Sequence, residues 1–195
     1  MTSARTVCVY CSSSTAIDPR YLDLAESVGA GLARRGWTLV SGAGSISMMG
    51  ALARSVRTHG GHTIGVIPQA LVDREVADLD ADELVVTGDM RQRKGIMDER
   101  SDAFLALPGG IGTLEELVEV WTARHLRMHA KPIVVLDPWD DFAPVRALVD
   151  HWLDRRFVPA DVRDEIVWTA SVDDALDAIA QGWAGVGADH GRLTP

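Results

Sequence analysis

The sequence is short of cysteine, lysine and long apolar runs, and each shortage excludes something. Only Cys8 and Cys11 occur in 195 residues, too few for a disulfide framework. A chain of this length needs none, because an ordinary core buries roughly 70% of its unfolded surface. No run of 18 apolar residues is present, so no transmembrane helix is expected. The start, Met1-Thr2-Ser3-Ala4-Arg5, leads straight into an apolar strand and lacks the shape of a secretory leader, which places the expected location in the cytosol. Basic charge is scarce too: 19 Lys plus Arg face 28 Asp plus Glu, a net charge of −9. Duplex nucleic acid is a poor partner for such a chain, since affinity there comes from cations neutralising phosphates. A single phosphorylated small molecule, held by a local basic patch, remains open. The composition, 47% hydrophobic and 24% charged, is that of a soluble globular domain.

What the chain does have is alternation. Short apolar runs at 6–10, 37–40, 63–67, 83–87, 103–107, 133–136 and 166–168 read as strands. Between them, residues 46–59, 89–101, 113–128, 142–156 and 172–183 read as helices. So does the stretch carrying Tyr21, Leu24, Ala25, Val28 and Leu32, spaced by threes and fours. This pattern predicts an α/β fold with a mainly parallel central sheet and helices on both faces. Residues 1–183 form one domain, and the Gly-rich stretch 184–195 is expected to be a flexible tail. In such sheets ligands bind beyond the carboxyl ends of the strands, so the loops after the strands matter most.

Three of those loops carry chemistry. After the first strand comes Cys11-Ser12-Ser13-Ser14, which could bond a phosphate or simply make a turn. After the second comes Ser41-Gly42-Ala43-Gly44-Ser45. It lacks both the third glycine of the dinucleotide fingerprint and the Lys-Ser/Thr ending of a P-loop. After the fifth comes Leu107-Pro108-Gly109-Gly110-Ile111-Gly112-Thr113-Leu114-Glu115-Glu116. Its three glycines in four positions let a ligand reach the backbone and permit positive φ angles that would aim successive amides at one point. Thr113 is expected to open the following helix, whose N-terminus suits a monophosphate. Thr113-x-x-Glu116 also reads as a capping box, in which Glu116 would only bond back to the backbone. One strand earlier, Arg91-Gln92-Arg93-Lys94 puts three cations into four residues. It holds one of only two lysines, Lys94 and Lys131, among 17 arginines.

Other features are weaker. Cys8-x-x-Cys11 has redox spacing, but Cys8 falls inside a strand rather than at a helix start. His125 and His129 are four apart on one helix without an evident third metal ligand. The acidic loop around Asp78, Asp80 and Asp82 lacks the glycine and closing glutamate of a calcium site. No Gly-x-Ser-x-Gly elbow occurs.

The stretch Pro108-Gly109-Gly110-Ile111-Gly112-Thr113-Leu114-Glu115-Glu116 resembles the Pro-Gly-Gly-x-Gly-Thr-x-x-Glu motif of the LONELY GUY (LOG) family, the cytokinin riboside 5′-monophosphate phosphoribohydrolases once labelled lysine decarboxylases. Arg93-Lys94 is similar to the family's Arg-Lys pair. Val9-Tyr10-Cys11-Ser12-Ser13-Ser14, Gly65-Val66-Ile67-Pro68 and Ser101-Asp102-Ala103-Phe104 extend the likeness over residues 7–158. One loop departs: Ser41-Gly42-Ala43-Gly44 stands where the family usually carries Gly-Gly-Gly after an aromatic, which bears on substrate fit. The resemblance implies a Rossmann-like fold, a homodimer, no dissociable cofactor, and hydrolysis of nucleoside 5′-monophosphates to free base and ribose 5-phosphate. It implies Arg93 and Glu116 as the catalytic pair. It implies Glu75, Lys94, Gly110, Ile111, Gly112, Thr113, Leu114, Glu115 and Thr122 as ligand contacts, and the amides of residues 109–113, beginning at Gly109, would grip the phosphate.

Two other functions compete. A relative could hold a nucleotide or a molybdopterin-type cofactor without hydrolysing it, since fold alone does not decide function. An amino-acid decarboxylase would need pyridoxal phosphate on a lysine, and only Lys94 and Lys131 are available.

Overall fold

The structure, a computed structural model, describes residues 4–74 and 77–189. Seven strands form one sheet: β1 (Thr6–Tyr10), β2 (Thr38–Ser41), β3 (Thr63–Pro68), β4 (Glu83–Thr87), β5 (Ala103–Ala106), β6 (Ile133–Leu136) and β7 (Val167–Thr169). They lie in the order β4-β3-β2-β1-β5-β6-β7, and every pairing is parallel. The helices are α1 (Pro19–Arg34), α2 (Ser47–Thr58), α3 (Gln69–Val72), α4 (Met90–Glu99), α5 (Ile111–His125), α6 (Ala143–Asp154) and α7 (Val172–Asp189). Six residues, Ala160–Glu165, make a 3-10 turn before β7.

Strand pleating sends alternate residues of β1 into two separate cores. Val7 and Val9 join Leu24, Val28 and Leu32 of α1, with buried residues of α2 and α7. Cys8 and Tyr10 join Met97 of α4, Leu117 and Trp121 of α5 and Val149 of α6. With both faces covered, β1 has to be apolar throughout, and it is. The helical start signals act as the residue chemistry dictates. Asp18 accepts from the Arg20 amide at 2.9 Å, with Pro19 in the first helical position. Gly36 stops α1 from the left-handed region at φ +67°.

The chain adds β2, β3 and β4 on one side of β1, then crosses to its other side with β5. The order in which strands are added therefore reverses between β1 and β5, the kind of switch point at which α/β proteins bind ligands. Loop Ser41-Gly42-Ala43-Gly44 follows β2, and loop Leu107-Pro108-Gly109-Gly110 follows β5, so the two glycine loops flank β1. Leu107 is tied to β1 by its amide, which donates to the Tyr10 carbonyl at 2.9 Å.

At the far end, α7 runs to Asp189, past Trp183 and into the stretch expected as a tail. Extending a formed helix over Ala184 and Ala188 is far easier than starting one, despite the glycines between. Residues 190–195 of that expected tail lie outside the described residues. Among the described residues, no helix is long and apolar enough to cross a membrane.

Candidate active site

The glycine loop differs from expectation in two ways. Helix α5 starts at Ile111, not Thr113, with Gly110 as its N-cap and no side-chain cap. Thr113 is therefore the third residue of the helix, within its first turn and 4% exposed, with its hydroxyl folded against Gly109. A Cβ on Gly109 would lie 2.1 Å from Thr113 Oγ1. This placement dissolves the capping box, because Thr113 is no longer where a cap must be. The second difference concerns the glycines: Gly109, Gly110 and Gly112 do not use the left-handed region. Around Gly110 and Gly112, a Cβ would meet nothing within 4 Å. Their lack of side chains leaves open space over the first turn of α5. The N-cap makes no side-chain cap bond, and the unpaired amides of a helix start favour an anion. Ile111 projects from the same turn, 89% exposed.

Glu116 lies on the next turn of α5, turned inward. Its Oε1 accepts from Arg93 Nη1 at 3.1 Å, and the two side chains are only 13% and 8% exposed. Arg93 comes from the first turn of α4. That turn is fixed by Asp89, which accepts from the Gln92 amide at 2.8 Å, while Gln92 reaches back to accept from the Gly88 amide at 2.8 Å. The reciprocal capping expected at α5 thus operates at α4 instead. Arg93 Nε donates to the Val66 carbonyl in the second half of β3, 3.1 Å away. Burial pushes the Glu116 carboxyl above the usual carboxylate range, and the facing Arg93 guanidinium pulls it part of the way back. Arg91, by contrast, is exposed.

Lys94, the other member of the Arg-Lys pair, faces two acids one helical turn apart. It bonds Glu115 and lies 2.7 Å from Glu119. Both raise its ammonium pKa, Glu115 most strongly. Lys131 is engaged with Asp98 at 2.6 Å. A lysine that forms a Schiff base must shed its proton readily, and the two acids beside Lys94 hold that proton on. The residues present do not suit pyridoxal phosphate.

A cavity of about 560 Å³ opens between α4 and α5, lined by Tyr10, Lys94, Glu115, Glu116 and Thr122 among others. Thr122 is nine residues beyond Thr113, about 13 Å along the helix. It belongs to the far end of this cavity and not to the amide cluster. Leu114 is half-buried beside the cavity, in the apolar groove between α5 and α6. Glu75 lies outside the described residues.

The other candidates have separate partners. His125 Nδ1 meets Glu165 at 3.0 Å, and His129 Nε2 meets the Val120 carbonyl at 3.0 Å. Cys8 and Cys11 are buried free thiols, and burial pushes Cys8 up to about 12, far from a reactive thiolate. Sequence reasoning overlooked the Val66 carbonyl, which any residue type could have supplied.

Comparison with known proteins adds a family model described as possible lysine decarboxylase, matching residues 49–179. A cytokinin riboside 5′-monophosphate phosphoribohydrolase of Mycobacterium marinum is 51% identical over 177 residues, 91% of this chain and 94% of the relative. One of the same description from Mycobacterium tuberculosis is 51% identical over 175 residues, 90% and 93% of the two chains. The rice enzyme of that description, LOG, is 40% identical over 163 residues, 84% of this chain and 67% of the relative. Among solved structures, the molybdenum cofactor carrier protein of Chlamydomonas reinhardtii superposes with a TM-score of 0.71 at 24% identity, covering 93% of this chain and 99% of that one. At that identity, the likeness is one of fold.

Proposed function

Because the chain belongs to the LOG family, we propose that it hydrolyses the N-glycosidic bond of nucleoside 5′-monophosphates, such as cytokinin riboside monophosphates or AMP. Water and substrate give the free base and ribose 5-phosphate. The observation that carries this reading is the buried Arg93–Glu116 pair, one turn along from an uncapped helix start with open space above its glycines.

In this reading, the amides of residues 109–113 take the 5′-phosphate. The phosphate is remote from the broken bond, so its binding energy can hold the sugar in place. As the bond to the base stretches, positive charge grows on the ribose ring, as in glycosidases. Glu116 faces that charge and takes a proton from the attacking water as oxygen bonds to C1′ and the C1′–N bond breaks. The departing nitrogen gains a proton in turn, so water's two hydrogens end on the sugar hydroxyl and the base. A carboxyl raised by burial is a better base near neutral pH than an exposed one. Arg93 orients Glu116, holds the substrate and favours departure of the base. Lys94, Glu115 and Thr122 complete the cavity wall, and Glu75 is the remaining proposed contact.

The protein is proposed to act as a cytosolic homodimer. Two free buried thiols suit a reducing compartment. An apolar groove of about 320 Å³ between α5 and α6, lined by Leu114, Val118, Leu148 and Trp152, offers a face for a second copy. The carrier-type reading, a protein that only holds a nucleotide or molybdenum cofactor, gives no task to a buried base paired with arginine.

Incubating the purified protein with AMP and with isopentenyladenosine monophosphate tests the proposal. Free base and ribose 5-phosphate are expected, and bound but intact nucleotide would overturn it. Arg93→Ala should abolish most turnover, while Arg91→Ala has little effect. Equal, mild losses would reduce the cluster to a solvated helix face.

A further inference from the structure

A glycine is required where the backbone must enter the left-handed region or where something else occupies the place of a side chain. The turn after β2 separates these two reasons. Ala43 takes φ +53° although it carries a methyl group, whereas Gly42 does not use that region. Backbone conformation alone would have put the glycine at 43 and allowed any residue at 42. What Gly42 lacks room for is a side chain: a Cβ there would lie 1.8 Å from Arg93 Nη2 and 2.9 Å from Arg93 Cζ.

The guanidinium is therefore fixed on three sides. Gly42 lies under Nη2, the Val66 carbonyl receives Nε at 3.1 Å, and Glu116 receives Nη1 at 3.1 Å. Because the guanidinium is a rigid plane, moving one nitrogen moves the others. We propose that Gly42 is a positioning residue for the hydrolytic site: its bare Cα is the seat on which Arg93 rests, and it sets the Arg93–Glu116 contact.

A methyl group at 42 separates function from folding. Nη2 is the far end of a flexible side chain, so Arg93 can swing aside without moving the backbone, and the cost falls on its own contacts. The swing breaks the bonds to Val66 and Glu116 together and leaves a buried carboxylate without its counter-charge. The Glu116 carboxyl should then titrate higher still. Turnover should fall roughly 10²-fold, the lower end of what one positioned catalytic group contributes. KM should rise less than kcat falls, because Arg93 is one of the substrate's holds while the amide cluster belongs to a different loop.

The effect on turnover rests on the hydrolase reading; the steric relation does not. The test is therefore a double-mutant cycle of wild type, Gly42→Ala, Arg93→Ala and the double variant. It is read both by kcat and by carbon-13 NMR titration of Glu116. Gly42→Ala alone should lower kcat and raise the Glu116 titration point, while adding it to Arg93→Ala should change neither. An equal effect of Gly42→Ala in both backgrounds overturns the proposal. If Gly42→Ala does not fold, the double variant should, since the obstruction has been removed; failure of both overturns it as well. A wild type that releases no base would sink the hydrolase reading, while the NMR cycle still decides the role of Gly42.

Discussion

Glu116 shows how one side chain sets function against stability. Its folded-state pKa is raised, so in the unfolded chain it loses its proton at lower pH. Ionising it therefore costs stability, progressively, as pH rises from the ordinary carboxylate range through the raised value. Glu116→Gln removes that cost and also removes the base. The variant should melt no lower than wild type at neutral pH, and the melting difference should move in favour of glutamine as pH rises through that window. Turnover should drop roughly 10²-fold. A melting difference that ignores pH, or turnover near wild type, would refute this account. At this scale the sequence was partly legible. Residue chemistry alone left Arg93 within a cation cluster and Glu116 as a possible capping acid, and it was the resemblance to the LOG family that singled them out as a pair. The seat at Gly42 and the acceptor at Val66 did not, because a missing side chain and a carbonyl carry no signature in residue type.

Among the elements, α5 repays most attention. Gly112 occupies its first turn, where alanine would favour the helix by up to about 1 kcal/mol, and a Cβ there meets nothing in the protein. Packing within the chain thus gives no reason for glycine, whereas an anion resting on the amides does. Gly112→Ala should melt at the same temperature or higher, yet raise KM for the nucleotide at least about tenfold, with kcat less affected. An unchanged KM would mean that the phosphate lies elsewhere. The strands and longer helices were readable because periodicities of 2 and 3.6 persist over enough residues. The start of α5 was not: Thr113 looks like a cap in sequence, but burial of its side chain against Gly109 places it inside the helix. The four residues of α3 and the 3-10 turn are too short for any period to register.

For the molecule as a whole, strand alternation was enough to foresee a parallel sheet covered on both faces, but not its order. The decision to place β5 against β1 depends on side-chain fit across the sheet, as between Phe104 and Tyr10, whose rings stack 6.2 Å apart. The apolar groove of α5 and α6 belongs to this scale too. Light scattering should report a mass of two chains, and Leu148→Glu, on α6 and 45% exposed, should shift it to one chain with the melting cooperative. A wild-type mass of one chain would remove the dimer.

The central place of β1 has a consequence for how the protein is made. The Thr6 amide donates to the Asp102 carboxylate, 96 residues further on, and the groups that meet around Arg93 come from positions 42, 66, 93 and 116. A growing chain that has left the ribosome only as far as β4 has neither the acid nor the anion nest. Closure of so long a loop precedes any reward from these contacts. The set is therefore completed only once α5 has been made, and a product of translation interrupted before α5 lacks both the acid and the nest.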